Sequence, residues 1–264
     1  MLPMAIIGLV LIAAVAGGYY LYSSSQKTAE LNRAAANTAT APNTNRAQPS
    51  TVNAPAGAQP PHIMGSPTAA VTVEEFADFQ CPACASTHPT MKEIQSIYGN
   101  RIKFIFRQFP LAIPAHDKAY EAAIAAEAAG MQGKFWAFQD QLFTNQQAWS
   151  QAPNYKELWA GYAEKAGLDV AKFQSDASGT AAKQRVDQDL SRGRGMSVGS
   201  TPSIYINGRL VPSPQLSTAS LRQLIDAELQ RASAAPAATN SNASANTAAA
   251  GNSNTEGRAN TNGK

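Results

Sequence analysis

Two stretches of nearly the same composition bracket this chain, and they limit how much of it can fold. Residues 23–61 are rich in Ala, Asn, Thr, Ser, Pro and Gln, with almost no aromatics and no apolar periodicity. The same Ala/Asn/Ser/Thr mixture returns over residues 232–264. Segments of this kind cannot bury enough apolar surface to offset the entropy of ordering them. They read as a flexible tether, roughly 35 Å in mean span for about 39 residues of coil, and a disordered tail. Of the 264 residues, 62–231 remain for one folded domain. The net charge of +3 is spread out with no basic block, so nucleic acid is not an expected partner.

Ahead of the tether, Leu2 to Tyr22 contains no charged residue and ends in Tyr19, Tyr20 and Tyr22. As a helix, about 21 residues at ~1.5 Å each would span roughly 31 Å, the thickness of a bilayer core. Tyrosines suit its interface. Residues 1–22 therefore read as a single-pass membrane anchor or signal-anchor. A cleaved signal peptide is the alternative, with Ala14-Val15-Ala16 as a small-x-small cleavage site. Lys27 and Arg33 follow the run and no Lys or Arg precedes it, which by charge counting favours a cytoplasmic domain. The chemistry below favours the other side.

Within the domain the pattern reads β-α-β, a helical block, then β-β-α. Val71 to Phe76 has strand character, with Gly65, Ser66 and Pro67 marking a turn before it. Pro82 to Tyr98 reads as a helix closed by Gly99-Asn100, and Arg101 to Phe109 as a second strand. Residues 115–193 are helical in pattern. Ile124, Met131, Phe135, Phe138 and Leu142 make one stripe, Tyr155, Leu158, Trp159 and Tyr162 another, and Val186 and Leu190 mark a third helix. Ser203 to Ile206 is a strand, Asn207-Gly208 a two-residue hairpin turn, and Arg209 to Val211 the return. Leu221, Leu224, Ile225 and Leu229 lie on a closing amphipathic helix.

The chain has two cysteines, Cys81 and Cys84. A bridge between them would close a loop too short to add much stability, so chemistry explains the pair better. At the start of a helix Cys81 meets unpaired N–H groups and the positive end of the dipole, both of which favour thiolate. Pro82 suits the first turn, where its missing N–H costs nothing. An exposed Cys81 sulfur would form the mixed disulfide with a substrate, and Cys84, one turn deeper, would resolve or form it. Zinc is the competing reading: Cys81, Cys84 and His88 share a helix face, but a structural site needs four ligands, and His62 and His116 are remote in sequence. Covalent haem would need His after Cys84, where Ala85 stands.

The stretch Val73-Glu-Glu-Phe-Ala-Asp-Phe-Gln-Cys-Pro-Ala-Cys84 resembles the active-site strand and helix of the DsbA-like thioredoxin-fold proteins. Phe109-Pro110, Gln132-Gly-Lys-Phe-Trp136, Gly199-Ser-Thr-Pro-Ser203 and Ile206-Asn-Gly208 fit in the same order. The resemblance implies an α/β thioredoxin-like fold, a central mixed β-sheet flanked by helices and interrupted by a helical insertion. It implies that Cys81 is the nucleophile and Cys84 the resolving cysteine. Pro202 would be a cis-proline against the disulfide, letting Thr201 present backbone to a bound peptide alongside Pro82 and Ala83. Glu75 would be the buried carboxylate beneath the site, a proton relay for Cys84. Glu75 shares a strand face with Val71 and Val73, and the alternative puts Glu74 inward instead. One departure stands out: position 83 is Ala where the prototype has His, so the imidazole that helps stabilise the thiolate is missing and a weaker oxidant is expected.

The expected activity is protein disulfide oxidation outside the cytoplasm, in the periplasm or its equivalent, acting on substrate proteins with cysteines. The enzyme would be reoxidised by a quinone-linked membrane partner. The alternatives are a reductase or isomerase kept reduced by a membrane electron donor, and a non-enzymatic peptide-binding module. No metal or organic cofactor is implied, because the dithiol is itself the redox group.

Overall fold

The computed structural model describes residues 53–234. The expected anchor, most of the tether and the tail lie outside these residues. Among the described residues, no helix is long and apolar enough to cross a membrane.

Strands β1 (His62–Gly65), β2 (Val71–Ala77), β3 (Ile102–Gln108), β4 (Ser203–Ile206) and β5 (Arg209–Leu210) form one sheet in the order β1-β3-β2-β4-β5. The β2–β3 pair is parallel and the others are antiparallel, so the sheet is mixed. Helix α1 (Pro82–Tyr98) makes the crossover between β2 and β3. Between β3 and β4 come α2 (Ala119–Met131), α3 (Phe135–Thr144), α4 (Gln146–Gln151), α5 (Tyr155–Lys165), α6 (Val170–Ser178) and α7 (Thr180–Gly195). Helix α8 (Thr218–Ala234) closes the domain.

The central strand β2 is covered on both faces, as a strand with a parallel partner usually is. Val71, Val73 and Ala77 pack with Ile102, Phe104 and Phe106 into the larger core, which also holds Cys84, Met91 and Ile94 of α1 and Leu221 and Ile225 of α8. On the other face Phe76 and Tyr205 pack with Phe109, Val186, Leu190 and Met196, most of them from α7 or the turn after it. Alternation along β2 thus sends Glu75 to the α1 side and Glu74 to the α7 side.

Three features differ from the sequence reading. Strand β1 occupies a segment that carries no alternation signal of its own; its residues are only half-buried at the sheet edge. It ends at Gly65, whose φ is +85° and where a Cβ would lie 2.2 Å from the Ile102 carbonyl oxygen. The stripe from Ile124 to Leu142 is two helices, broken over Gln132–Lys134 with Gly133 at φ +72°, and Met131 is left exposed. The tether also ends earlier than residue 61. Ala54 packs against the α7-side core and Ala58 is fully buried. Backbone carbonyls of Pro55, Ala56, Ala58, Gln59 and Pro60 accept from Arg192, Arg107 and Arg185. Side chains from elsewhere in the fold hold this stretch, which is why its own composition did not reveal it. At the other end the domain runs to Ala234, three residues past the expected boundary.

The hairpin is as read. Asn207 (φ +48°) and Gly208 (φ +77°) both take the left-handed conformation that a two-residue turn of this kind requires.

Candidate active site

Cys81 is the N-cap residue of α1, with extended backbone (φ −73°, ψ 120°), and Pro82 takes the first helical position. At such a cap, Ser or Asp would accept from the free amides of the second and third helical residues. Here those residues are Ala83 and Cys84. As a thiol, Cys81 makes no capping hydrogen bond and donates instead to the Thr201 carbonyl at 3.4 Å. Loss of its proton converts it to an acceptor for the Cys84 thiol, the Thr201 hydroxyl and the Cys84 and Ala83 amides. The Cys84 thiol contributes most, burial opposes it, and the balance brings the Cys81 pKa down to about 5. Cys84 is fully buried, and that burial, reinforced by the neighbouring Cys81, pushes its thiol far up. The two sulfurs are thus sharply unequal: one ionises readily and the other holds its proton.

Cys81 is less open than expected, at 7% exposure, because the loop before β4 covers it. The Thr201–Pro202 peptide bond in that loop is cis, and its own carbonyl, that of Thr201, is the one contacting Cys81. Pro82 and Ala83 are exposed. Cys81 and Thr201 are thus brought together although 120 residues separate them in sequence, with Pro82 and Pro202 next to them in the chain.

Both acids of β2 are buried, and the fold treats them differently. For Glu74, burial alone would raise the carboxyl, but Arg192 and Arg107 outweigh it and hold its pKa below the usual range. Arg107 Nε and Arg192 Nε each lie 2.7 Å from Glu74 Oε1. Glu75 sits between Phe106 of β3 and Ile204 of β4 in the sheet register, facing the core that contains Cys84. Desolvation pushes its pKa up to about 8, so it is protonated at neutral pH. A carboxyl raised on folding costs stability as pH climbs from its unfolded value toward its folded one. Over the interval from 4.5 to pH 7, at about 1.4 kcal/mol per pH unit, this amounts to about 3 kcal/mol. Glu75→Leu is accordingly expected to raise urea-unfolding stability by that order at pH 7, with the gain shrinking toward pH 4.5. A difference independent of pH would contradict a buried, uncompensated acid.

Several residues that support the site left no signal in the sequence. Asp78, buried at the end of β2, accepts from the Gln80 amide (2.7 Å), the Leu111 amide (2.9 Å) and His116 Nδ1 (2.7 Å). The Gln80 side chain donates to Asp117 and accepts from the Lys118 amide. Gln146 donates to the carbonyls of Phe79 and Cys81. Such polar contacts have no period, and each joins segments far apart in the chain. His88, the third residue of the zinc alternative, lies against Phe143 with Nε2 on Asp140 at 2.9 Å. Among the described residues, no group of three or more His, Cys, Asp or Glu side chains is arranged to hold a metal ion.

A mixed sheet with a dithiol at the start of the crossover helix and a cis-proline against it defines a thioredoxin fold, and the insertion between β3 and β4 makes it DsbA-like. A family model described as thioredoxin matches residues 58–227, and the chain belongs to that family. Solved structures agree. BdbD from Bacillus subtilis superposes with a TM-score of 0.56 at 23% identity, covering 67% of this chain and 98% of that one. The DsbA1 protein of Wolbachia pipientis gives 0.56 at 18% identity, covering 66% and 93%. Curated relatives include a Na(+)/H(+) antiporter NhaA 1 from Mycolicibacterium gilvum, 33% identical over 165 residues, which are 62% of this chain and 26% of that protein. Another from Salinispora arenicola is 36% identical over 148 residues, covering 56% and 22%. The chain thus spans about a quarter of the length of these relatives. Fold and dithiol together support thiol–disulfide oxidoreductase activity.

Proposed function

We propose that this protein oxidises dithiols in substrate proteins outside the cytoplasm, from a membrane-anchored position. The observation that carries the reading is the inequality of the two sulfurs. A reduced form stabilised by an easily ionised Cys81 is a good product, which makes the disulfide form a good oxidant.

A substrate thiolate attacks the Cys81 sulfur of the Cys81–Cys84 disulfide. That bond breaks, a mixed disulfide forms at Cys81, and Cys84 leaves with the electron pair and takes up a proton. A second substrate thiolate then attacks the substrate sulfur of the mixed disulfide and Cys81 departs as thiolate. The substrate has lost two electrons and the protein holds them as a dithiol. Glu75, protonated on the same side of the sheet, is the group we assign to supplying the proton to Cys84. Thr201 and Pro202 present backbone to the substrate peptide, with Pro82 and Ala83 forming the opposite wall. Reoxidation falls to a membrane redox partner, such as a quinone-linked oxidase.

Membrane placement is supported by the uncharged run from Leu2 to Tyr22 and by the occurrence of a similar domain within chains named as ion antiporters. Antiport itself is not assigned to this chain, which matches only a quarter of those proteins.

Titration of the Cys81–Cys84 couple against glutathione tests the direction of flow. At pH 7 a thiol of pKa about 5 is almost fully ionised, whereas one near ~7, as in thioredoxin, is half ionised. That difference favours the reduced form, so a potential above thioredoxin's ~−270 mV is expected. A value at or below thioredoxin's ~−270 mV would reject the oxidase and favour a reductase.

A further inference from the structure

We propose that Gln146 is a positioning residue through which the helical insertion holds Cys81 at the start of α1. The inference rests on Cys81 being the reacting thiol.

Gln146 opens α4, within the insertion. Its Nε2 lies 2.8 Å from the carbonyl oxygen of Phe79 and 2.8 Å from that of Cys81, and both of its amide hydrogens are thereby used. The Cys81 carbonyl also accepts the opening hydrogen bond of α1, from the Ala85 amide at 3.2 Å. Gln146 therefore grips the same oxygen that starts the helix. With a second hold on Phe79, it fixes the turn that leads from β2 into Pro82. The Cys81 sulfur faces the Ala83 and Cys84 amides only while that turn keeps its angle. Neighbouring contacts restrain the turn from its other side: Asp78 takes the Gln80 amide, and the Cys81 amide donates to the Asp78 carbonyl at 3.2 Å. These contacts lie within the turn itself; the insertion reaches it at Gln80 through Asp117 and the Lys118 amide, and at Phe79 and Cys81 through Gln146. Its neighbours Gln147 and Ala148 are exposed, whereas Trp149 of the same helix is fully buried in the core and anchors the segment from which Gln146 reaches the turn.

The test is the pH profile of iodoacetamide alkylation of the reduced protein, read for wild type, Gln146→Leu, Gln146→Glu and the exposed control Gln147→Ala, with thermal melts alongside. In Gln146→Leu the two carbonyls lose their donor and the alkylation midpoint is expected to rise by about one pH unit, a tenfold loss of thiolate on the rising limb. Gln146→Glu sets an acceptor against both carbonyls and is expected to raise it further. Gln147→Ala should match wild type. Folded Gln146 variants with the wild-type midpoint would overturn the proposal and leave Cys81 as the reacting thiol. A wild-type midpoint near 8.5 would overturn the activated-thiol reading itself, and this proposal with it. If Gln146→Leu is too unstable to assay, Gln146→Glu and Gln146→Asn, which keeps the amide on a shorter stem, give the same reading.

Discussion

Serine in place of Cys81 is expected to reduce thiol–disulfide exchange on a dithiol peptide to the uncatalysed background, because neither the internal nor the mixed disulfide can then form. The companion changes separate two roles of Cys84. Offered a disulfide-bonded peptide, reduced Cys84→Ser should trap a mixed disulfide, visible as a shifted band on a non-reducing gel: the Cys81 thiolate displaces one peptide sulfur as thiolate, and no second protein sulfur remains to release the other. Its hydroxyl still donates to the Cys81 sulfur, so the alkylation midpoint should stay low. Cys84→Ala removes the largest of the influences that ionise Cys81, and its midpoint should move well up toward an ordinary thiol. The same depression carries a stability signature. Because the folded pKa of Cys81 lies below the unfolded one, the reduced protein should gain stability over Cys81→Ser as pH rises from about 5 toward ~8.5 and lose that advantage as pH falls through 5. Unchanged peptide oxidation by Cys81→Ser would reject both enzymatic readings and leave a peptide-binding module.

The second large effect concerns Arg107, which lies far from the sulfurs. Its guanidinium is buried and reaches Glu74 at 2.7 Å, Asp189 at 3.0 Å and the carbonyls of Ala58 and Ala56. Asp189 is buried as well, and its remaining partners are the amides of Ala58 and Gln108. Removing the cation leaves Asp189 buried without its ion-pair partner, with only the weaker field of Arg192 to offset its charge. Arg107→Met should therefore cost about 3–5 kcal/mol in urea unfolding, the usual penalty for breaking a buried pair on one side. Arg107→Lys should recover little of it, because an ammonium cannot reproduce the fork that serves four acceptors at once. The segment from Pro55 to Pro60 should loosen in the same variants, seen as faster amide exchange at Ala58. A loss under about 1 kcal/mol would mean that the network is dispensable.

Pattern alone located much of this protein. The strands from Val71 and Arg101, the helix from Pro82, the Asn207-Gly208 turn and the closing helix all carry periodicities or turn residues that act over a few positions. The placing of the two cysteines at a helix start was legible for the same reason. Two cysteines three apart at a helix start are a local arrangement, and the dipole and free amides that act on Cys81 belong to the same turn.

The remainder depended on contacts between distant segments. Nothing local marks β1 as a strand, Pro55 to Pro60 as part of the domain, or Gln132 to Lys134 as a helix break beneath a continuous apolar stripe. Their conformations are set by Phe104, Arg107, Arg192 and other groups that arrive only when the sheet assembles. The contrast between Glu74 and Glu75 makes the same point at the level of charge. Adjacent and identical in the sequence, they point to opposite faces of one strand. One meets two arginines and stays ionised, and the other meets phenylalanine and isoleucine and keeps its proton. Residue type and spacing determined where the sulfurs would sit; that the Cys84 thiol does more than the helix amides to ionise Cys81 emerged only in the folded site. Only tertiary packing could decide what covers Cys81, which carboxyl holds a proton beneath it and which side chains keep its turn in place, because those depend on desolvation and on partners separated by tens of residues or more.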